Sequence, residues 1–268
     1  MRLKIYIVNA FAGDQFGGNP AAVIPLEEWL RDELMQQIAA QNNLAETAFI
    51  VPRGEDFYIR WFTPAVEVAL CGHATLASAY VFFNHLNYAK PLINFHSKSG
   101  LLSVSESTDK KITLDFPADR PVPLSPEEQE GVVFTIIEQA LKRKPANIYK
   151  SAFDFLAVLK DQDEVENLVP DLDLVAKLPA RGLIVTATGK NADFVSRCFF
   201  PQSGIDEDPV TGSAHTVLVP YWANILGQTK LSAIQLSKRR GYLDCELIKD
   251  RVLMTGKAFT YLTGEINI

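Results

Sequence analysis

Two segments of the chain are apolar on nearly every face at helical spacing, Ala74 to Phe83 and Ala214 to Leu226. A helix with no polar face has to be covered on all sides. Most of the segments around these two read as short strands. Leu3 to Ala10 begins with apolar–polar alternation, and Ala21 to Ile24 follows the turn signal Gly17-Gly18-Asn19-Pro20. Leu44 to Val51 is rich in β-branched and aromatic residues, and Tyr58 to Phe62, Ile93 to His96, Leu101 to Ser105 and Lys111 to Phe116 continue the series. Further strands are predicted at Asn147 to Leu159, Gly182 to Thr188 and Asp193 to Phe200, then from Leu231 through Leu236, Leu243 to Ile248 and Arg251 to Thr255. Leu26, Leu30, Leu34 and Ile38, with Trp29 and Met35 alongside, predict an amphipathic helix ending near Asn42-Asn43. Glu127 to Leu141 predicts another with an acidic start, and Pro220 predicts a kink in the second apolar helix. The expected fold class is α+β, a curved sheet wrapped around a central helix, built twice.

The duplication extends to the approaches to the two helices. Phe62-Thr63-Pro64 leads to Cys71-Gly72-His73-Ala74-Thr75, and Phe199-Phe200-Pro201 leads through Gly204-Ile205-Asp206-Glu207-Asp208-Pro209-Val210 to Thr211-Gly212-Ser213-Ala214-His215. Each half thus ends a strand on an aromatic residue and a proline, then opens a helix beside a glycine. Two such N-termini offer unpaired backbone N–H groups and a positive dipole end, which suit a carboxylate or phosphate. Four prolines between Pro117 and Pro126 mark the interdomain linker.

Composition narrows the classes. The 268 residues suffice for one large domain or two, and nearly half are hydrophobic, so a sizeable core can form. A net charge of −6 argues against a nucleic-acid partner held by bulk electrostatics. The short basic runs Lys142-Arg143-Lys144 and Lys238-Arg239-Arg240 each stand beside a turn former and read as solvated turns. Cys71, Cys198 and Cys245 make an odd count without CxxC spacing, so neither a disulfide framework nor a zinc site is expected and a reducing cytoplasm is the expected compartment. No run reaches the length of a membrane span.

Several residues could carry chemistry. Strand alternation places Glu46 on the face of Leu44, Ala48 and Ile50. If that face is buried, desolvation raises the carboxyl pKa and suits a general acid/base; if the other face is buried, Glu46 lies in water. Asp208 belongs either to a solvated acidic loop or to a helix N-terminus that it stabilises. His73 and Ser213 each follow a glycine, Gly72 and Gly212, that lets the backbone approach a ligand; the bland roles are a first-turn surface residue and an N-cap. Cys71 is either a nucleophile or base, or a packed small residue, and His215 is expected to pack within its helix. Thr211 and His215 replace the glycines of a GxSxG elbow around Ser213, and neither a GxGxxG nor a P-loop occurs.

Together these residues resemble the PhzF family, the phenazine-biosynthesis-like isomerases. The resemblance runs from Phe16-Gly17-Gly18-Asn19-Pro20-Ala21-Ala22-Val23 through Asn42-Asn43-Leu44-Ala45-Glu46-Thr47-Ala48-Phe49, Trp61-Phe62-Thr63-Pro64 and Cys71 to Thr75, and ends with Gly204 to His215. It implies a diaminopimelate epimerase-like fold with domains over 1–117 and 118–259, the last strand (260–268) returning to the first, and a site in the cleft between them. It implies that Glu46 is the catalytic acid/base and that His73, Asp208 and Ser213 line the site; the open backbone N–H groups near Gly72, Gly212 and Ser213 are then expected to hold a substrate carboxylate. The related epimerases use two opposed cysteines; here Cys71 meets Thr211, whose hydroxyl is too weakly acidic to alternate with a thiol. The resulting expectation is a cofactor-independent isomerase, free of metal, acting on a small carboxylate-bearing metabolite, with no nucleic-acid or membrane partner and a homodimer as its assembly. A non-catalytic binding or scaffold protein that keeps the cleft is the alternative.

Overall fold

The computed structural model describes residues 1–129 and 131–268. The chain divides into two compact units, Met1–Phe116 with Leu253–Ile268, and Pro117–Val252. In unit 1 the strand Arg2–Ala10 pairs antiparallel with Asn19–Pro25, which pairs in parallel with Glu46–Arg53. The last of these pairs antiparallel with Asp56–Phe62, which runs parallel to Leu92–Ser97, itself antiparallel to Gly100–Glu106. Unit 2 repeats the order. Asn147–Lys150, Asp154–Val158, Gly182–Thr188, Phe194–Phe200, Lys230–Gln235 and Gly241–Ile248 pair antiparallel, parallel, antiparallel, parallel and antiparallel. The strand Ala258–Asn267 pairs antiparallel with Arg2–Ala10.

Parallel neighbours need a crossover, and helices fill these connections. Asp32–Asn42 occupies the first crossover of unit 1; Gln162–Glu166 and Leu172–Val175 occupy that of unit 2. The second crossovers carry the two central helices, Gly72–His85 and Gly212–Leu226, which are buried along most of their length. The fold is therefore α+β, with a mostly antiparallel sheet around a central helix in each unit. Pro220 sits inside a continuous helix. Its missing N–H would leave the carbonyl of Thr216 without a helical partner, and the backbone N–H of Asp119 donates to that oxygen at 3.0 Å.

Several elements differ from expectation. The first helix starts at Asp32 rather than near Leu26, because the Leu26 N–H donates to the carbonyl of Ile50 and so holds that stretch extended beside the sheet. Asn19 and Pro20 lie in the second strand rather than in a turn. The helix expected from Glu127 to Leu141 is two, Pro126–Gln129 and Val132–Leu141, separated by an extended Gly131; Glu130, which that expectation included, lies outside the described residues. The strand expected from Asn147 to Leu159 is a hairpin, whose turn is closed by Ser151 Oγ donating to the Asp154 carbonyl. Residues Ile205–Asp208, expected as loop, form a strand against Phe194–Phe200. Both central helices begin at their glycine, two residues earlier than the apolar runs suggested, so Cys71 and Thr211 are the N-cap residues.

Candidate functional site

In unit 1 the strand Glu46–Arg53 has both faces buried over its first six residues. Phe49 and Val51 pack with Met35 and Ile38 of the helix Asp32–Asn42. Glu46, Ala48 and Ile50 occupy the other face by alternation, that of the central helix. Glu46 is only 8% exposed and His73 only 3%. His73 Nε2 lies 3.1 Å from Glu46 Oε2. That is ion-pair distance, but the N–H is not aligned on the oxygen as a hydrogen bond requires. On the other ring edge Asn19 Nδ2 is 3.1 Å from His73 Nδ1, and Cys71 Sγ is 3.5 Å from the same nitrogen. In the neutral ring Asn19 then donates to Nδ1, which leaves the ring proton on Nε2, facing Glu46. Protonating Nδ1 calls for a flip of the Asn19 amide, an isosteric change that presents its oxygen.

Electrostatics favour a charged His73. Burial, the largest influence, opposes the imidazolium; Cys71 and Glu46 together raise the His73 pKa well above its ordinary value, the share from Cys71 requiring its thiolate. Burial and the Glu46 charge push the Cys71 thiol up to about 11. Cys71 is therefore a thiol near neutrality, and Glu46 supplies the charge that His73 feels there. Ligand atoms of Glu46, Cys71 and His73 lie within 4.8 Å of one another, a donor set that could hold a metal ion. Cys71 Sγ lies nearest Nδ1 while Glu46 Oε2 lies nearest Nε2, so thiol and carboxylate cluster about the same imidazole. The arrangement is suited to passing a proton.

In unit 2 Asp208 is buried, and its Oδ2 accepts from Thr211 Oγ1 at 2.6 Å. Gln235 binds this corner from three sides. Its Nε2 donates to the Asp208 carbonyl and to Thr211 Oγ1, and its Oε1 accepts from the Thr211 N–H. The Thr211 hydroxyl is thus already a donor to one group and an acceptor from another. Gly212 and Ser213 open the helix; Ser213 is half-buried, and its Oγ accepts from Arg181 Nη2 at 3.0 Å. Arg181 also grips the buried Asp154 through Nε and Nη2. His215 is not at the site's surface. It is fully buried, its Nδ1 lies 2.8 Å from the Thr211 carbonyl, and burial lowers its pKa to about 4.

A family model described as phenazine biosynthesis-like protein matches residues 8–264. An uncharacterized isomerase of Pseudomonas aeruginosa is 48% identical over the whole of both chains. The chain belongs to the phenazine biosynthesis-like family. A PhzF family protein of Enterococcus faecalis, solved by crystallography, superposes with a TM-score of 0.90 at 45% identity over the full length of both chains. A predicted epimerase of Pseudomonas aeruginosa, 19% identical with a TM-score of 0.75 over 98% of this chain and 99% of its own, shares the fold. As a member of the PhzF family the chain is an isomerase-type enzyme. Among the described residues no helix is long and apolar enough to cross a membrane.

Of the residues singled out from sequence, Glu46 and His73 meet in unit 1, with Gly72 opening the helix. Asp208, Gly212 and Ser213 gather around the helix start of unit 2. Asn19, Gln235, Arg181 and Asp154 were not anticipated as site residues. Asn19 lay within a motif read as a turn. Arg181 and Asp154 are 27 residues apart, and only the sheet register brings them together.

Proposed function

We propose that the protein is a cofactor-independent isomerase that moves a proton between two carbons of a small carboxylate-bearing metabolite. Glu46 is the acid/base. Its carboxylate takes the proton as the C–H bond breaks, the electron pair is taken up by the unsaturated system of the substrate, and the same proton returns to a different carbon. No electrons are gained or lost. His73 shares or relays the proton through Nε2, and Asp208 orients the substrate. Ser213 and the backbone N–H groups at Gly72 and Gly212 hold its carboxylate. The observation that carries this reading is the buried Glu46–His73 contact at 3.1 Å. Two-thiol chemistry of the racemase kind is disfavoured, because Cys71 is held protonated and the Thr211 hydroxyl is bound to Asp208.

The test is deuterium incorporation from solvent into candidate carboxylates. Glu46→Gln keeps the shape but cannot accept a proton; it should bind substrate while losing exchange by roughly 100-fold or more. Near-normal exchange in Glu46→Gln, with loss in His73 or Asp208 variants, would reassign the roles.

A further inference from the structure

The strand registers of the two units can be overlaid residue by residue. Ala21 pairs with Glu46 and Thr47 with Phe62 in unit 1; Asp154 pairs with Gly182 and Leu183 with Phe199 in unit 2. Phe57 opposite Phe95 matches Phe194 opposite Ala233. Glu46 therefore corresponds to Gly182, Ala45 to Arg181, Ala21 to Asp154 and Thr63 to Phe200. Where unit 1 places its carboxylate, unit 2 has no room for one: a Cβ on Gly182 would stand 2.3 Å from the Phe199 carbonyl oxygen and 2.3 Å from the Phe200 ring. The next residue back is Arg181, whose guanidinium carbon lies 4.8 Å from the centre of that Phe200 ring.

Arg181 is held from several directions. Nε and Nη2 donate to the two oxygens of Asp154, a carboxylate only 2% exposed, and the second Nη2 proton goes to Ser213 Oγ. Of the five guanidinium protons three are thereby committed, while the two on Nη1 make no hydrogen bond among the described residues. Over a third of the side chain, 36%, is exposed. Because Ser213 Oγ accepts from Arg181, the hydroxyl proton of Ser213 is turned to donate elsewhere.

We propose that Arg181 is a positioning residue for the anionic group of the substrate: it fixes the Ser213 hydroxyl as a donor and adds a positive charge beside it, so that unit 2 selects carboxylates over neutral isosteres. Asp154 and Phe200 hold the fork in place. The inference builds on the assignment of Ser213 to substrate binding under the proposed function, and adds the residue that determines which chemistry Ser213 can recognise.

The experiment uses the full chain and two probes of equal size, malonate and its uncharged analogue malonamide, followed by calorimetric titration at fixed ionic strength. The wild type should bind malonate and discriminate against malonamide. Arg181→Gln alone strands the Asp154 carboxylate, so the double variant Arg181→Gln with Asp154→Asn removes both charges together. It should weaken malonate binding by about tenfold or more, as for a lost charge-assisted hydrogen bond, and leave malonamide binding unchanged. Ser213→Ala disturbs no buried charge and should weaken malonate by several-fold; Arg181→Lys, which keeps the charge without the fork, should fall between wild type and the double variant. A wild type that does not distinguish the probes, or variants that bind malonate as the wild type does, would overturn the proposal. Deuterium exchange in Glu46→Gln judges the acid/base reading separately: either result can fail while the other stands.

Discussion

At matched positions of two duplicated units, one carries Glu46 and the other Gly182 flanked by Arg181. Unit 1 has the smaller Thr63 where unit 2 has Phe200, and the Phe200 ring takes up the space a side chain on residue 182 would need. The helix starts diverge in the same sense. Cys71-Gly72-His73 surrounds the carboxylate with a second titratable group, whereas Thr211-Gly212-Ser213 offers hydroxyls tied into a hydrogen-bond network. What persists is backbone chemistry. In both units the fourth residue after the N-cap bonds the N-cap carbonyl through its side chain, Thr75 Oγ1 to Cys71 and His215 Nδ1 to Thr211. A repeated scaffold has thus kept its helix starts while its side chains separated into a half that carries a buried carboxylate–imidazole pair and a half that carries hydroxyls beside an Arg–Asp pair.

The comparison can be broken through stability. Arg181→Gln leaves Asp154 buried without its cation and should destabilise by about 3 kcal/mol, the low end for a severed buried pair because Arg181 is partly exposed. The matching change in the other half, Glu46→Gln, swaps a carboxylate for an isosteric amide beside an imidazole that can shed its proton, and should cost less than Arg181→Gln. Denaturant midpoints at constant m-value decide between them; equal losses would mean that Glu46–His73 is as much a structural pair as Asp154–Arg181.

Gly182→Ala sharpens the same point at smaller scale. The new methyl meets a backbone oxygen that cannot turn aside, so a loss of about 1–3 kcal/mol is expected, as for an overpacked core. A neutral Gly182→Ala would show that unit 2 could have accommodated a carboxylate and that its absence has no steric cause.

The duplication, both central helices and the strand that carries Glu46 were legible in the sequence, because an all-apolar helix and an apolar strand are local signals; the residues alone allowed Glu46 to face core or water, and only the family resemblance chose between them. Burial on both faces of that strand was not, since it depends on the helix Asp32–Asn42 packing on one side. The Arg181–Asp154 pair escaped because neither residue is unusual in its own neighbourhood; Arg181 stands between Ala180 and Gly182 in what reads as an ordinary strand start. The short helices after Asp161 and Asp171 did carry a readable sign. Each aspartate accepts from the N–H three residues on, the usual N-cap arrangement, in a region where no element was expected.

The two buried histidines give the smallest and most specific contrast in their response to pH. His73 is raised above its unfolded value near 6.5, so its stabilising contribution is complete below that pH and fades as pH rises through its folded pKa. His215 is lowered to about 4, so its contribution is complete above about 6.5 and is lost as pH falls towards 4. Removing either histidine should flatten the corresponding limb of the stability–pH curve.

The central claim, that Glu46 and His73 form a proton-handling pair, is tested most directly by the nitrogen chemical shifts of the histidines in the full chain from pH 4 to 10. The account predicts that His73 titrates above 6.5 and that Glu46→Gln lowers its pKa, while His215 stays neutral down to about 4 in both proteins. A His73 that titrates below 6.5, or one that Glu46→Gln leaves unmoved, would contradict it.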